Sequence, residues 1–177
     1  MRNFVRQYRM QGNPEEWLEY HRQLNSQRKV WSVHPLQEMI SRIKVMSPRL
    51  QVGDFGCGEA RLMEEIGHDR VISFDHVAIN DKVIACDMKS VSEYVIDGSL
   101  DVVVFSLSLM GKNWYDYIIE AKRCLCTRGS LLIAHTTDSL SSDGRLSKLR
   151  DLIKEQGFVI DLDEARGDFT FIEATKL

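Results

Sequence analysis

From residue 50 onward, short apolar runs alternate with longer amphipathic stretches, the pattern of parallel strands joined by crossover helices. The runs predict strands at 50–55, 71–74, 83–86, 101–105 and 130–135, and helices at 59–66, 114–125 and 142–155. Gly67, Gly129 and Gly157 fall at or just beyond the ends of those helices, where glycine readily takes the left-handed conformation. Two final runs, 158–163 and 168–174, flank Glu164-Ala165-Arg166-Gly167 and predict an antiparallel hairpin. Upstream, Asn13-Pro14-Glu15-Glu16 carries the signals of a helix start: a capping side chain, a proline for the first turn, and two carboxylates for the positive end of the dipole. That helix is predicted over 14–29. A second begins at Pro35, with Leu36, Met39, Ile40 and Ile43 at i, i+3, i+4, i+7 spacing, and stops before Pro48. The expectation is an α/β fold with a mostly parallel sheet, a C-terminal antiparallel hairpin and an N-terminal helical extension. It divides as 1–49 for the extension and 50–177 for the core, within one structural domain.

Composition agrees with that size of fold. With 177 residues and 44% apolar content, the chain is long enough for one core and short for two. It holds no run of about 18 apolar residues, and Met1-Arg2-Asn3-Phe4-Val5-Arg6 lacks the apolar stretch of a secretory signal, so the expectation is an intracellular protein with no membrane partner. Cys57, Cys86, Cys124 and Cys126 form no C-x-x-C pair and no ligand spacing with the histidines. Free thiols and no metal are expected. The net charge of −3 conceals an asymmetry: residues 1–50 carry +5 and residues 51–177 carry −8. A basic N-terminal third suits a polyanionic partner.

The first core strand ends in Asp54-Phe55-Gly56-Cys57-Gly58 and runs into a helix. Glycines at such a turn let backbone approach a ligand closely. The dinucleotide fingerprint requires a third glycine three positions after Gly58, and Arg61 stands there, which argues against a nicotinamide cofactor. Asp75 closes the second strand at the place where a carboxylate reaches ribose hydroxyls, and Asp87-Met88 follows the third strand, able to meet an adenine amino group and ring. The fourth strand delivers Ser106-Leu107-Ser108-Leu109-Met110-Gly111 to the same carboxyl-end crevice. Together these residues point to an adenosyl ligand.

These motifs resemble a known family. Asp54-Phe55-Gly56-Cys57-Gly58, Phe74-Asp75, Cys86-Asp87-Met88 and Ser108-Leu109-Met110-Gly111 are similar to the motifs of the nucleomethylin, or ribosomal RNA-processing protein 8, family of S-adenosylmethionine-dependent adenine-N1 methyltransferases. Tyr20-His21-Arg22, Gln27, Lys29 and Trp31 resemble the segment that precedes that family's core. The resemblance is specific over 14–134, fades over 135–157 and returns in the final hairpin. It implies a class I methyltransferase with a Rossmann-like sheet, restricted to the catalytic domain, and S-adenosylmethionine contacts at His21, Gly56, Asp75, Asp87 and Met88. It adds Ser106, where the family often has cysteine. Asp54 and Gly58 belong to the same cofactor turn. After strand five the chain departs from the family, reading Ala134-His135-Thr136-Thr137-Asp138 where a glutamate and a serine-rich stretch are expected.

Methyl transfer to adenine N1, whose lone pair is present at neutral pH, needs alignment more than a strong base. Ser108 and Asn113 are the residues expected to position the base, beside an apolar wall of Leu107, Leu109 and Met110. His135 and Asp138 rank behind them. The arginines of the N-terminal third, with Trp17 or Trp31 to stack on an unpaired base, would meet ribosomal or other structured RNA, with a further protein or RNA-binding partner allowed for. The implied location is nuclear or nucleolar in a eukaryote and cytoplasmic otherwise. Two alternatives remain at this point: a small-molecule or protein methyltransferase, and a non-catalytic S-adenosylmethionine-binding scaffold.

Overall fold

The structure, a computed structural model, describes residues 30–110 and 112–177 together with Glu15, Glu19, Arg22, Gln23, Ser26 and Arg28. Those six separate positions are helical, within the helix expected over 14–29. His21, Trp17 and Gly111 lie outside the described residues.

Helix α1 (Pro35–Val45) opens on a proline and buries Pro35, Met39, Ile40 and Ile43, with Arg42 and Lys44 in its last turn facing the negative dipole end. Strand β1 (Val52–Phe55) is buried on both faces, as befits a central strand of a covered parallel sheet. It leads through a glycine turn into helix α2 (Arg61–Ile66). Strands β2 (Val71–Asp75), β3 (Val83–Ala85) and β4 (Leu100–Ser106) follow, then helix α3 (Trp114–Cys124) and strand β5 (Leu125–Thr136). A short helix α4 (Thr137–Ser141), a 3₁₀ turn and helix α5 (Arg145–Glu155) precede the hairpin of β6 (Phe158–Arg166) and β7 (Phe169–Lys176).

The seven strands order as β3-β2-β1-β4-β5-β7-β6. Strands β1 to β5 are mutually parallel, and β7 inserts antiparallel between β5 and β6. The chain therefore winds outward from β1 to β3 and returns to place β4 beside β1, so their carboxyl ends diverge into a crevice at the topological switch point. Strand parity assigns the layers. Val52, Val102, Val104, Leu132 and Ala134 face α1 and α2, whereas Phe55, Val103, Phe105, Leu131 and Ile133 face α3 and α5. Phe55 sits edge-on to both Phe74 and Phe105, with ring centroids 5.3 and 5.4 Å away, which locks the three strands around the crevice.

Several boundaries differ from expectation for identifiable reasons. Helix α2 starts at Arg61 rather than 59, because Ala60 takes left-handed φ of 62° and closes the turn first. Strand β5 begins at Leu125, not 130: Leu125 pairs with Leu100, and after a register shift Ser130 pairs with Val102. The left-handed residue in that irregularity is Arg128, at φ 65°, rather than Gly129. The hairpin turn is tighter than 164–167, since Arg166 still pairs with Phe169 and only Gly167, at φ 57°, and Asp168 connect the strands.

Candidate functional site

The glycine turn is pinned to β2 by backbone. The Gly56 and Cys57 N–H groups both donate to the Phe74 carbonyl, at 2.8 and 3.0 Å. The Gly58 N–H donates to Asp75 Oδ2 at 2.8 Å, so the acid that ends β2 also holds the turn. A carboxylate offers about four lone-pair sites, and this bond leaves capacity for a ribose hydroxyl. Across the crevice, the Ser108 hydroxyl donates to the Phe55 carbonyl at 2.6 Å and ties the β4–α3 loop to the end of β1. The approach is close: a Cβ added to Gly56, whose φ is +82°, would lie 2.2 Å from the Ser108 Cβ. Glycine is required there by both space and conformation.

Asp54 is 2% exposed, and burial first, then the neighbouring Asp75, push its carboxyl pKa up from 3.8 to about 7. No described residue donates a hydrogen bond to it. The same surroundings push the Cys57 thiol far above its ordinary value, so Cys57 stays a neutral thiol. Two buried acids beside a glycine cradle give this sheet edge a negative potential suited to a cation once Asp54 ionises. S-adenosylmethionine carries an ammonium and a sulfonium, and a cation bound here would favour the ionised form that burial, and then Asp75, disfavour. The residues present fit that group.

Asp87 lies beyond β3, half-buried, with its carboxylate engaging the Lys89 N–H at 3.1 Å and the Lys89 ammonium at 3.1 Å. Met88 is fully buried in the α3-side core. Ser106 closes β4 half-buried, at the carboxyl end. Asn113 is the residue before α3, half-buried and without a capping bond. The turn, Asp75, Ser106 and Ser108 thus converge on one sheet edge, joined from the flank by Asp87. His21 is outside the described residues.

Three features of the crevice had no local signal. Leu107 takes φ of +60°, rare for a bulky side chain, while its N–H donates to Ala134 of β5 at 2.8 Å. Arg145, at the start of α5, donates to the Leu109 carbonyl and lies 5.6 Å from the Trp114 ring centroid, bracing the β4–α3 loop from the far side. His135 is 2% exposed, has a buried Nε2 with no hydrogen-bond partner among the described residues, and is held neutral by burial and by Arg145, with its pKa lowered to about 4. Asp138 is exposed. Among the described residues no cluster of three or more His, Cys, Asp or Glu suits a metal ion, and no helix is long and apolar enough to cross a membrane.

Comparison with known proteins decides the family. A family described as "Hypothetical methyltransferase" matches residues 3–177. The chain belongs to this methyltransferase family. The chain is 44% identical over 140 residues to ribosomal RNA-processing protein 8 of Caenorhabditis briggsae, covering 78% of this chain and 41% of that protein. The Dictyostelium discoideum protein of the same name is 37% identical over 161 residues, 90% of this chain and 40% of its own length. The 25S rRNA (adenine(645)-N(1))-methyltransferase of Schizosaccharomyces pombe is 34% identical over 140 residues, 73% of this chain and 43% of that one. The chain thus spans about two-fifths of the length of these curated relatives. Solved folds agree: an S-adenosylmethionine-dependent methyltransferase from Aquifex aeolicus superposes with a TM-score of 0.61 at 11% identity, over 86% of this chain and 93% of that one. A possible histamine N-methyltransferase from Thermotoga maritima gives 0.63 at 16% identity, over 91% and 99%. The class I methyltransferase fold expected from the sequence is the one observed, and S-adenosylmethionine is the cofactor of this methyltransferase family.

Proposed function

We propose that this methyltransferase chain is the catalytic part of an enzyme that methylates adenine N1 in ribosomal or other structured RNA. The observation that carries the reading is the buried, doubly acidic glycine crevice in a chain whose relatives bear ribosomal RNA-processing and rRNA adenine-N1-methyltransferase names. S-adenosylmethionine supplies an electrophilic methyl group. Asp75 takes the ribose hydroxyls, Asp87 and Met88 the adenine of the cofactor, and Asp54, Gly56, Gly58 and Ser106 the backbone-lined cradle, with His21 contributed by the N-terminal segment. Residues 1–49 form the N-terminal extension and residues 50–177 the methyltransferase core.

The target base enters beside Ser108 and Asn113. Because the Ser108 proton is engaged by the Phe55 carbonyl, its oxygen serves as an acceptor toward the substrate. An adenine amino group offers the matching donor. Leu107 and Leu109, both buried, exclude water from the transfer path. The basic N-terminal third neutralises phosphates, and a ribosomal RNA substrate implies a nucleolar location in a eukaryotic cell.

The test is incubation of the chain with total RNA and labelled methyl donor, followed by nucleoside mass spectrometry. The expected product is 1-methyladenosine. Label confined to a small metabolite or a protein would overturn the substrate assignment.

A further inference from the structure

A groove of about 330 Å³ opens beside the glycine turn, lined by Arg28, Trp31, His34, Leu36, Gln37 and Arg61. Its volume falls within the ~300–1,000 Å³ typical of small-ligand sites. Its place is fixed by two contacts. Arg61 begins α2, directly after the glycine turn. Trp31 sits edge-on to Phe169, with centroids 4.9 Å apart, and Phe169 pairs with Thr136 at the carboxyl end of β5. The groove therefore opens on the α1–α2 side of the same sheet edge as the cofactor crevice. It does not overlap the acids of that crevice.

The lining chemistry is selective. Two guanidinium groups, a half-buried indole and a carboxamide line it, and no carboxylate is among its described lining residues. Glu59, half-buried, accepts from Arg61 Nε at 3.1 Å, and the Arg61 side chain is 47% exposed. A guanidinium has five N–H donors, so this one contact leaves the fork able to grip phosphate oxygens. An aromatic face flanked by arginines is the usual platform for an unpaired base and its phosphodiester. A bare anion would need no indole, and an apolar ligand would need no arginines.

We propose that this groove is a single-stranded RNA subsite that holds a nucleotide flanking the target adenine, with its base against Trp31 and its phosphate between Arg28 and Arg61. The assignment rests on the RNA-methyltransferase reading and names where the strand lies. It also explains how a core of net charge −8 admits a polyanion at its active edge, since the contacts are concentrated beside the crevice.

The test measures binding of a fluorescein-labelled RNA oligonucleotide, carrying an unpaired adenine loop, to the wild-type chain and to Arg28→Glu, Arg61→Glu and the double variant. Each single reversal should weaken binding about tenfold at low salt, and the double variant should flatten the log K against log salt slope by about 0.7, the loss of one single-strand phosphate contact. Cofactor affinity, measured by calorimetry, should stay at the wild-type value, which also reports that the variants fold. Photocrosslinking of the wild-type chain to 4-thiouridine-substituted RNA should label Trp31, and this readout involves no substitution. Unchanged RNA affinity and slope would overturn the subsite. So would a parallel loss of cofactor affinity in folded variants, which would make the groove part of the cofactor site. Equal weakening toward a polyglutamate peptide would reduce it to a general anion surface and also overturn it. A wild-type chain that methylates no RNA would sink the parent reading. Equal RNA methylation by wild type and double variant would sink the groove alone.

Discussion

Asp54, if it meets the methyl donor as proposed, is expected to make that affinity depend on pH, in a direction set by its burial and by Asp75. Its carboxyl is lifted from 3.8 to about 7 by burial and by Asp75, so the ligand-free protein holds this proton across most of the acidic range. A cationic ligand favours the carboxylate, and binding must therefore expel the proton. The ionised fraction falls about 30-fold between pH 8 and pH 5.5 for a group titrating near 7, equivalent to about 2 kcal/mol of binding free energy. Calorimetry with S-adenosylmethionine should show affinity rising through that window and levelling above pH 7. At pH 6.5, titrations in buffers of different ionisation enthalpy should report release of about 0.75 proton per site. Asp54→Asn should abolish both the slope and the proton release. Asp75→Asn, which removes the second cause of the shift, should move the midpoint toward acid. His135 titrates near 4 and Cys57 stays a neutral thiol, so neither reproduces the signal. A flat wild-type profile, or an equal slope in Asp54→Asn, refutes the reasoning. Folding stability should run oppositely. A folded pKa above the unfolded one stabilises fully below about 3.8 and is lost as pH rises through about 7, so Asp54→Asn should raise the melting temperature at pH 8 and not at pH 4.

Other substitutions test separate parts of the fold. His135 has the reverse linkage: with its pKa lowered to about 4, the native state resists a proton that the unfolded chain accepts below 6.5, and His135→Leu should gain up to about 3 kcal/mol at pH 4 relative to pH 7.5 in denaturant titrations. Gly56→Ala places a Cβ 2.2 Å from the Ser108 Cβ at φ +82°, and should cost at least about 2 kcal/mol by thermal melting. Glu120, 7% exposed, accepts from the Val91 N–H at 2.6 Å and from Arg123 at 2.8 and 2.9 Å. Glu120→Ala strands the Val91 N–H and removes one of Arg123's two carboxylate partners, Asp97 remaining, and should cost about 2–3 kcal/mol, whereas Glu120→Gln, which keeps an acceptor, should cost less in the same urea titration.

The alternation of apolar runs made the parallel sheet legible because the central strands β1 and β4 are buried on both faces and α3 on one, a local signature that survives without tertiary knowledge. What the periodicity missed follows from non-local pairing. Leu125 becomes strand only because Leu100 lies beside it, and Thr137 becomes helical where its N–H meets the Asp168 carbonyl at 2.9 Å across the sheet edge. Ala60 shows the limit of motif reading. The third tight position of the glycine turn exists, but it lies two residues after Gly58 and is occupied by alanine at φ 62°, while Arg61 stands at the position three residues on.

The site was legible in proportion to how local its parts are. Asp54, Gly56 and Gly58 share one turn, and Asp75 and Asp87 each close or follow a strand, so their common edge follows from a parallel sheet once the strands are known. The chemistry of Asp54 is different in kind. Sequence places it in the turn, but the shift that makes it a proton-linked group needs a strand covered on both faces and a second acid brought from β2. Had β2 been separated from β1 by an intervening strand, the same residues would leave Asp54 buried without its charged neighbour. The order β2-β1-β4 thus sets Asp75 close enough both to hold the Gly58 N–H and to oppose ionisation of Asp54.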